Sequence, residues 1–264
     1  MTKDGGRRIA TASGAILADA SRLGALLDSA GDAIFDPNFW SARSELSEVS
    51  AGRGAAWFLD SGPHHWVLRH YRRGGFMARF SDDRYLWTGE ARVRAFTEYR
   101  LLARLTDLGL PVPRPLGARY RRVGLSYSCD LITQRIEGAE PLSSLLARSP
   151  LGDATWCAVG ATIARLHRAG VDHADLNAHN ILLDSQGAAS VIDFDRSLVR
   201  AAGLVRAPGS RVRAGGGWTA RNLRRLKRSL AKISRDLPPD RFAAQDWECL
   251  LAGYGTAAGR GVDR

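Results

Sequence analysis

The segment that most constrains this 264-residue chain is HADLNAHNILLDSQGAASVIDFD, residues 173–195. Asp175 is followed five residues later by Asn180, and Asp193 comes thirteen residues after Asn180. Between Asn180 and Asp193 lie two apolar runs, separated by a turn signal at residues 184–187. Short apolar runs around such a turn predict a β-hairpin. We therefore expect three oxygen-bearing side chains at the open end of one rigid hairpin.

These side chains are suited to phosphoryl transfer. One carboxylate can accept or orient the proton of an attacking hydroxyl, and an amide with a second carboxylate can hold Mg²⁺ on a triphosphate. The spacing fits the kinase pattern H-x-D-x-x-x-x-N followed by D-F-G, with Asp195 in the place of the glycine. We predict that Asp175 is catalytic, that Asn180 and Asp193 bind the metal, and that ATP and Mg²⁺ are the cofactors. His173 is expected to brace the loop by hydrogen bonding.

A glycine pair lies between the first two of three short strands predicted from residue 46 onward. Without a Cβ, glycine lets backbone N–H groups approach phosphate oxygens closely. A hairpin turn without a ligand would show the same pair, but its position ahead of the catalytic segment favours a phosphate-binding role. The predicted cofactor-binding residues of this loop are Gly52, Arg53 and Gly54.

The third predicted strand carries Arg69 where a kinase has its phosphate-pairing lysine, and no lysine lies near it. A helix predicted over residues 90–105 carries Glu98, which we expect to pair with Arg69 and orient it on the phosphates. Two simpler interpretations stay open. Arg69 could be a solvated strand residue, and Glu98 could pair with an arginine of its own helix, such as Arg94.

The formal net charge of +11 restricts the possible partners. Only three of the 38 lysine and arginine residues are lysine, and arginine pairs bidentately with phosphate and carboxylate. Codon bias could explain the excess of arginine over lysine, but not the net charge. The three cysteines lie far apart without zinc-site spacing, and no apolar run approaches the ~20 residues of a membrane span. We expect a cytoplasmic protein with an acidic partner.

At HADLNAHNILLD, VIDFDRS and WVLRHYRRGG, the chain resembles the 3-deoxy-D-manno-octulosonic acid (Kdo) kinases of the lipopolysaccharide kinase family. The resemblance spans roughly residues 46–233. It implies an α+β, bilobal, protein-kinase-like fold, with a small β-rich N-lobe bearing one main helix and a larger, mostly helical C-lobe. It also implies Asp175 as the active-site acid and ATP-dependent phosphorylation of a Kdo sugar, at its 4-hydroxyl, on a lipid A precursor in core biosynthesis. The implied location is peripheral, on the cytoplasmic face of the inner membrane.

Three regions follow from this resemblance and from the local patterns. Residues 1–45 are expected to form an N-terminal extension, with its first fifteen residues frayed and a possible short helix over residues 15–27. Residues 46–137 are expected to form the N-lobe, which binds the nucleotide phosphates. Residues 138–264 are expected to form the C-lobe, with the catalytic loop and a basic amphipathic helix. That helix could pack on the C-lobe, contact an anionic membrane surface, or do both.

The expected partners are an acidic glycolipid substrate, the Kdo–lipid A precursor, and an anionic inner-membrane surface, and no nucleic acid is expected. One alternative is an aminoglycoside-like small-molecule phosphotransferase, although cationic substrates would favour an acidic cleft. Another is an inactive kinase scaffold that binds anionic lipid or nucleic acid. The intact set of Asp175, Asn180 and Asp193 disfavours the inactive scaffold.

Overall fold

The computed structural model describes residues 6–49, 55–72, 83–200 and 216–258. The chain divides into two compact units. The first comprises Met1–Leu108 and Pro113–Ile136, and the second comprises Gly109–Val112 and Glu137–Arg264. The first unit is rich in strands and the second in helices, so the predicted α+β class is confirmed.

One antiparallel sheet organises the first unit. Its strands in the described residues are β1 (Arg7–Thr11), β2 (Gly14–Ala18), β3 (Leu46–Val49), β4 (Ala55–Ser61), β5 (His64–His70), β6 (Tyr85–Leu86), β7 (Pro115–Val123) and β8 (Ser126–Gln134). They pair in the order β1-β2-β7-β8-β5-β4-β3, and β6 pairs with β8. The three strands predicted from residue 46 are β3, β4 and β5, so that part of the prediction is confirmed.

Helices cover both faces of this sheet: α1 (Ala20–Ala30), α2 (Pro37–Ser41) and α3 (Arg94–Asp107). A Cβ at Gly117 would meet Leu23 of α1, whereas the ring of Tyr120 packs at 5.3 Å from Phe96 of α3. Successive strand residues point to opposite faces, so α1 and α3 lie on opposite sides of β7. The predicted main helix is α3, which begins at Arg94 after a short 3₁₀ turn.

The N-terminal residues differ from the expectation. Residues 7–18 are strands β1 and β2 rather than frayed chain or helix, and helix α1 begins only at Ala20. Ala15, Ile16 and Leu17 are at most 2% exposed, because the sheet is covered on both faces. A continuous apolar run of this kind cannot be distinguished from a buried helix by periodicity alone.

The second unit is built on α4 (Leu142–Arg148), α5 (Asp153–Arg168), α6 (Gly216–Ile233) and α7 (Ala244–Ala257). A Cβ at Gly160 would lie 1.9 Å from the carbonyl oxygen of Leu250, and one at Gly253 would lie 2.1 Å from that of Cys157. Glycine is therefore required on both helices where α5 and α7 meet. Among the described helices, none is both long and apolar enough to span a membrane. The short strands of this unit are β9 (Glu140–Pro141), β10 (Val171–Asp172), β11 (Ile181–Leu183), β12 (Ala189–Val191) and β13 (Leu198–Val199).

Candidate active site

The predicted hairpin of residues 173–195 is present. Strands β11 and β12 pair antiparallel, and Ile181 lies opposite Val191. The turn between them is fixed by Asp184, whose Oδ1 accepts the N–H groups of two later turn residues, each at 2.9 Å. At the open end, the N–H of Ile192 donates to the carbonyl of Asn180 at 2.9 Å. This bond places Asn180 directly beside the residue that precedes Asp193.

Asp175 is held in the same loop by two asparagines. The side-chain amide of Asn177 donates to Oδ2 of Asp175 at 3.0 Å, and the amide of Asn180 donates to its backbone carbonyl at 2.9 Å. The Asp175 side chain is exposed, whereas Leu176 beside it is 1% exposed and anchors the loop. The structure therefore brings Asp175 and Asn180 into one hydrogen-bonded loop. Because Asn180 uses its nitrogen there, its Oδ1 is the atom suited to a metal.

His173 links the two parts of this site. Its Nδ1 accepts the backbone N–H of Asp175 at 3.1 Å, and its Nε2 lies 3.1 Å from the carbonyl of Ile192. A ring that accepts at Nδ1 and donates at Nε2 is a neutral imidazole. His173 is 2% exposed, and this burial lowers its pKa, which favours the neutral form. His173 thus braces the loop, as the sequence predicted, with one nitrogen for each side of the site.

Asp193 has an unusual backbone conformation, with φ at +62°. A non-glycine residue is uncommon in this left-handed region, and such strain persists where the surrounding structure fixes it, often at functional sites. The next residue, Phe194, is 1% exposed, and its ring centroid lies 4.9 Å from that of His173. Packing of Phe194 therefore anchors the segment that carries Asp193.

Helix α6 supports the loop from its buried side. Asn222 is completely buried, donates to Oδ1 of Asp172 at 2.9 Å and accepts the N–H of His173 at 3.0 Å. Two turns later, the hydroxyl of Ser229 accepts the N–H of Ala178 at 3.2 Å. One helix therefore contacts the loop on both sides of the candidate catalytic residue.

Asp172 is a buried charged anchor at the start of this loop. Its Oδ2 accepts from Arg200 at 2.7 Å and from Arg221 at 2.9 Å, while Asn222 binds Oδ1. Burial acts to raise the pKa of Asp172, but these hydrogen bonds and the two positive charges lower it overall. Asp172 is thus ionised and has a structural role. Of its two arginine partners, Arg200 directly follows β13 and Arg221 lies in α6.

In the first unit, Arg69 and Glu98 are brought together as the order of elements predicted. Nη2 of Arg69 lies 2.5 Å from Oε2 of Glu98, whose side chain is 3% exposed. The hydroxyl of Tyr71 donates to the same oxygen at 2.6 Å, and the Arg69 guanidinium lies 4.5 Å from the Tyr71 ring centre. Arg69 is therefore not a freely solvated strand residue, because its guanidinium is held by Glu98 and the ring of Tyr71. Its role towards phosphate remains a prediction.

The remaining predicted site residues, Gly52, Arg53 and Gly54, lie outside the described residues. For the metal, the donor types fit: an amide oxygen and a carboxylate are hard ligands that Mg²⁺ accepts. No cluster of three or more His, Cys, Asp or Glu side chains that could hold a metal occurs in the described part of the chain. Mg²⁺ bound together with substrate phosphates does not require such a cluster, because it uses one or two protein carboxylates and keeps several waters.

Comparison with known proteins decides the family. Residues 37–254 match the model of the lipopolysaccharide kinase (Kdo/WaaP) family. The chain belongs to this family. As a member of it, the chain is a kinase, a phosphotransferase that uses an alcohol group as acceptor.

Several 3-deoxy-D-manno-octulosonic acid kinases are similar to this chain. Those of Xanthomonas axonopodis pv. citri (strain 306) and Xanthomonas oryzae pv. oryzae (strain PXO99A) are 45% and 44% identical to it over 248 residues. That of Stenotrophomonas maltophilia (strain K279a) is 42% identical over 249 residues. Each alignment covers 94% of this chain and 92% of the relative.

Three residues of the site were not assigned from the sequence. Asn222 lies on the basic helix, four and eight residues before the buried Leu226 and Leu230. This spacing places it on the buried face of the helix and is the sequence pattern that could have indicated its role. The spacing of the motif assigns no role to Asn177, and its hydrogen bond to Asp175 is found only in the structure. Tyr71 shares a strand face with Arg69, but its contact with Glu98 depends on the packing of α3.

Proposed function

We propose that this chain is an ATP-dependent kinase that phosphorylates the Kdo sugar, at its 4-hydroxyl, of a Kdo–lipid A precursor in lipopolysaccharide core biosynthesis. The observation that carries the chemistry is the loop in which Asp175, Asn177 and Asn180 are hydrogen-bonded to one another. The acceptor is proposed from the name of relatives that cover nearly the whole chain at 42–45% identity.

Asp175 has the central role in this proposal. The amide of Asn177 occupies Oδ2, so we assign Oδ1 to the acceptor hydroxyl. Oδ1 accepts the hydroxyl proton as the oxygen attacks the γ-phosphate and the bond to the departing ADP breaks. His173 holds the Asp175 backbone and stays neutral, so it contributes no charge that would compete for the carboxylate. The loop therefore presents one oriented carboxylate oxygen at an exposed position.

Asn180 and Asp193 would hold Mg²⁺ through Oδ1 and the carboxylate, respectively. Bound with ATP, Mg²⁺ neutralises charge on the phosphate oxygens. The cation that the catalytic segment itself lacks would be Arg69, kept in a fixed orientation by Glu98 and Tyr71. Gly52, Arg53 and Gly54 would complete phosphate binding through backbone N–H groups.

The proposed second partner is the anionic surface of the inner membrane on its cytoplasmic face. Helix α6 buries Asn222, Leu226 and Leu230 and leaves a row of basic side chains exposed. Basic residues near such a surface each contribute about 1 kcal/mol to binding. The exposed basic residues of α6 and the turn after it are Arg221, Arg224, Lys227, Arg228, Lys232 and Arg235.

One assay tests the proposed function. Purified protein is incubated with Mg–ATP and a Kdo-bearing lipid A precursor, and the phosphate on the product is located by mass spectrometry and NMR. We expect transfer to the 4-hydroxyl of Kdo, and none to the same precursor without Kdo. Transfer to an aminoglycoside, or to the precursor lacking Kdo, with none to Kdo itself would contradict the proposal.

A further inference from the structure

In the first unit, the end of the β7–β8 hairpin and the neighbouring strand β6 carry exposed apolar side chains. Leu125 is 76% exposed, Leu86 is 65% exposed and Val123 is 58% exposed. We call these three residues the apolar tip. Single exposed apolar residues are common, whereas a contiguous exposed apolar patch indicates an interaction site.

The sheet register places the tip residues side by side. Ser126 on β8 lies opposite Leu86 on β6 and opposite Val123 on β7. Directly paired strand residues point to the same face, so Leu86 and Val123 flank Ser126 across three strands. Leu125 lies in the turn next to Ser126, and its carbonyl accepts the N–H of Trp87 at 2.9 Å, which ties the turn to the end of β6.

The tip is held rigidly rather than carried by a loose loop. Nε of Arg122 donates to the carbonyl of Gly124 at 2.9 Å, and its guanidinium lies 4.9 Å from the ring centre of Trp87. The Ser126 hydroxyl donates to the carbonyl of Val123 at 3.1 Å. Gly124 has φ at +58°, which glycine adopts without strain. These contacts fix the turn of the hairpin, in which Val123 and Leu125 are exposed to solvent.

Arginines stand one row behind the tip. Arg121 lies two residues before Val123 on the same face of β7, roughly 7 Å back along the strand, and it is exposed. Arg84, two residues before Leu86, is also exposed. The nearby acid Glu90 is already paired with Arg8 at 2.7 Å. Apolar side chains in front and exposed arginines behind match the two layers of an anionic bilayer surface, acyl chains and then phosphates.

We propose that the apolar tip, with Arg84 and Arg121 behind it, inserts into the surface of an anionic lipid bilayer. This contact rests on the membrane partner of the proposed function and assigns to that partner an inserted apolar element in the first unit. The hairpin would then contribute binding that salt does not abolish.

The test compares the full chain with the triple variant Leu86→Ser/Val123→Ser/Leu125→Ser. Sedimentation with vesicles of phosphatidylcholine and phosphatidylglycerol measures the partition coefficient at low and at high salt. We expect the variant to bind at least about tenfold more weakly, and the deficit to persist at high salt, because buried apolar area rather than charge is lost. The matched control is Leu108→Ser, which removes a 56% exposed leucine of the same unit and should bind as the wild type does.

Equal partition of the triple variant and wild type, or a wild type that does not bind these vesicles, would overturn the proposal. Phosphotransfer to a water-soluble Kdo acceptor is measured in parallel and should be unchanged in the triple variant. Its loss there would also overturn the proposal, since the tip would then act on the fold or the chemistry. Absence of transfer by the wild type with normal vesicle binding would contradict the proposed function alone.

Discussion

The side-chain amide of Asn177 donates a hydrogen bond to Oδ2 of Asp175 at 3.0 Å. The other end of the same side chain, Oδ1, accepts the N–H groups of His179 and Asn180 at 2.9 and 3.1 Å. A single residue therefore orients the candidate catalytic carboxylate and also shapes the turn that leads to the candidate metal ligand.

The substitution Asn177→Asp separates these two contributions. It keeps an oxygen that can accept both N–H groups of the turn, but it replaces the donor to Asp175 with a second negative charge. We expect kcat to fall by about ten- to a hundredfold, as for a misplaced catalytic group, with little change in KM for ATP. Steady-state kinetics beside a thermal melt would show this, and an unchanged kcat would mean that Asn177 does not orient Asp175.

Arg69→Ala tests the proposed phosphate-binding cation. The change removes the positive charge that pairs with Glu98, and it leaves a carboxylate that is 3% exposed without this partner. We expect kcat/KM for ATP to fall by roughly a hundredfold or more, in line with loss of an electrostatic contact to the transferred phosphoryl group. Arg104→Ala, at an exposed arginine in the last turn of α3, is the control. Similar kinetics for both variants would contradict the proposed role of Arg69 in binding phosphate.

Asn222→Ala tests the support that helix α6 gives to the loop. The substitution leaves an Asp172 oxygen and the His173 N–H, both buried, without their asparagine partner. Each unsatisfied buried group costs about 1–3 kcal/mol, so we expect the free energy of unfolding in urea to drop by a few kcal/mol. Arg224→Ala, on the exposed side of the same helix, should be close to neutral. Equal stability of the two variants would contradict this account of α6.

The lowered pKa of His167 makes the free energy of unfolding depend on pH. The residue is 9% exposed, its Nδ1 lies 2.9 Å from the Tyr254 hydroxyl, and burial lowers its pKa to about 4. In the unfolded chain its pKa is about 6.5, so the folded state binds fewer protons between these values. The free energy of unfolding should therefore be fully retained above pH 6.5 and fall by about 3 kcal/mol as the pH drops to 4.

Urea titrations of the wild type and His167→Gln between pH 4 and 7 would check this. The difference in the free energy of unfolding between the two proteins should shrink as the pH falls. Only the wild type has a side chain at this position that binds a proton more readily in the unfolded chain than in the folded one. His173, whose pKa burial also lowers, is present in both proteins and cancels. A difference that stays constant across the range would contradict the assignment.

The parts of the site that were predictable are those written in a short stretch of sequence. Asp175, Asn180 and Asp193 belong to one hairpin, and the loop, turn and strand signals fix their relative places without knowledge of distant contacts. The pairing of Arg69 with Glu98 required only the order of a strand and a helix. Its geometry, including the hydroxyl of Tyr71, depended on how α3 packs on the sheet.

Strand β7 shows why other parts were not predictable. Arg119 lies within it and is only 3% exposed, because Nη2 lies 2.8 Å from Asp130 on the neighbouring strand. From sequence alone, an arginine among other arginines indicates a solvated surface. The burial of Arg119 depends on its pairing with Asp130, which the register of β7 and β8 places opposite it. The same holds for Asn222, whose two partners come from a segment about fifty residues earlier.

The central claim is that the carboxylate of Asp175 accepts the acceptor's proton, and Asp175→Asn tests it most directly. The amide has the same shape but cannot take the proton, so kcat with Mg–ATP and a Kdo-bearing lipid A precursor should fall by about 10²–10⁴-fold. The thermal midpoint should stay near that of the wild type, because the Asp175 side chain is exposed. A variant that transfers phosphate within tenfold of the wild-type rate would contradict the account.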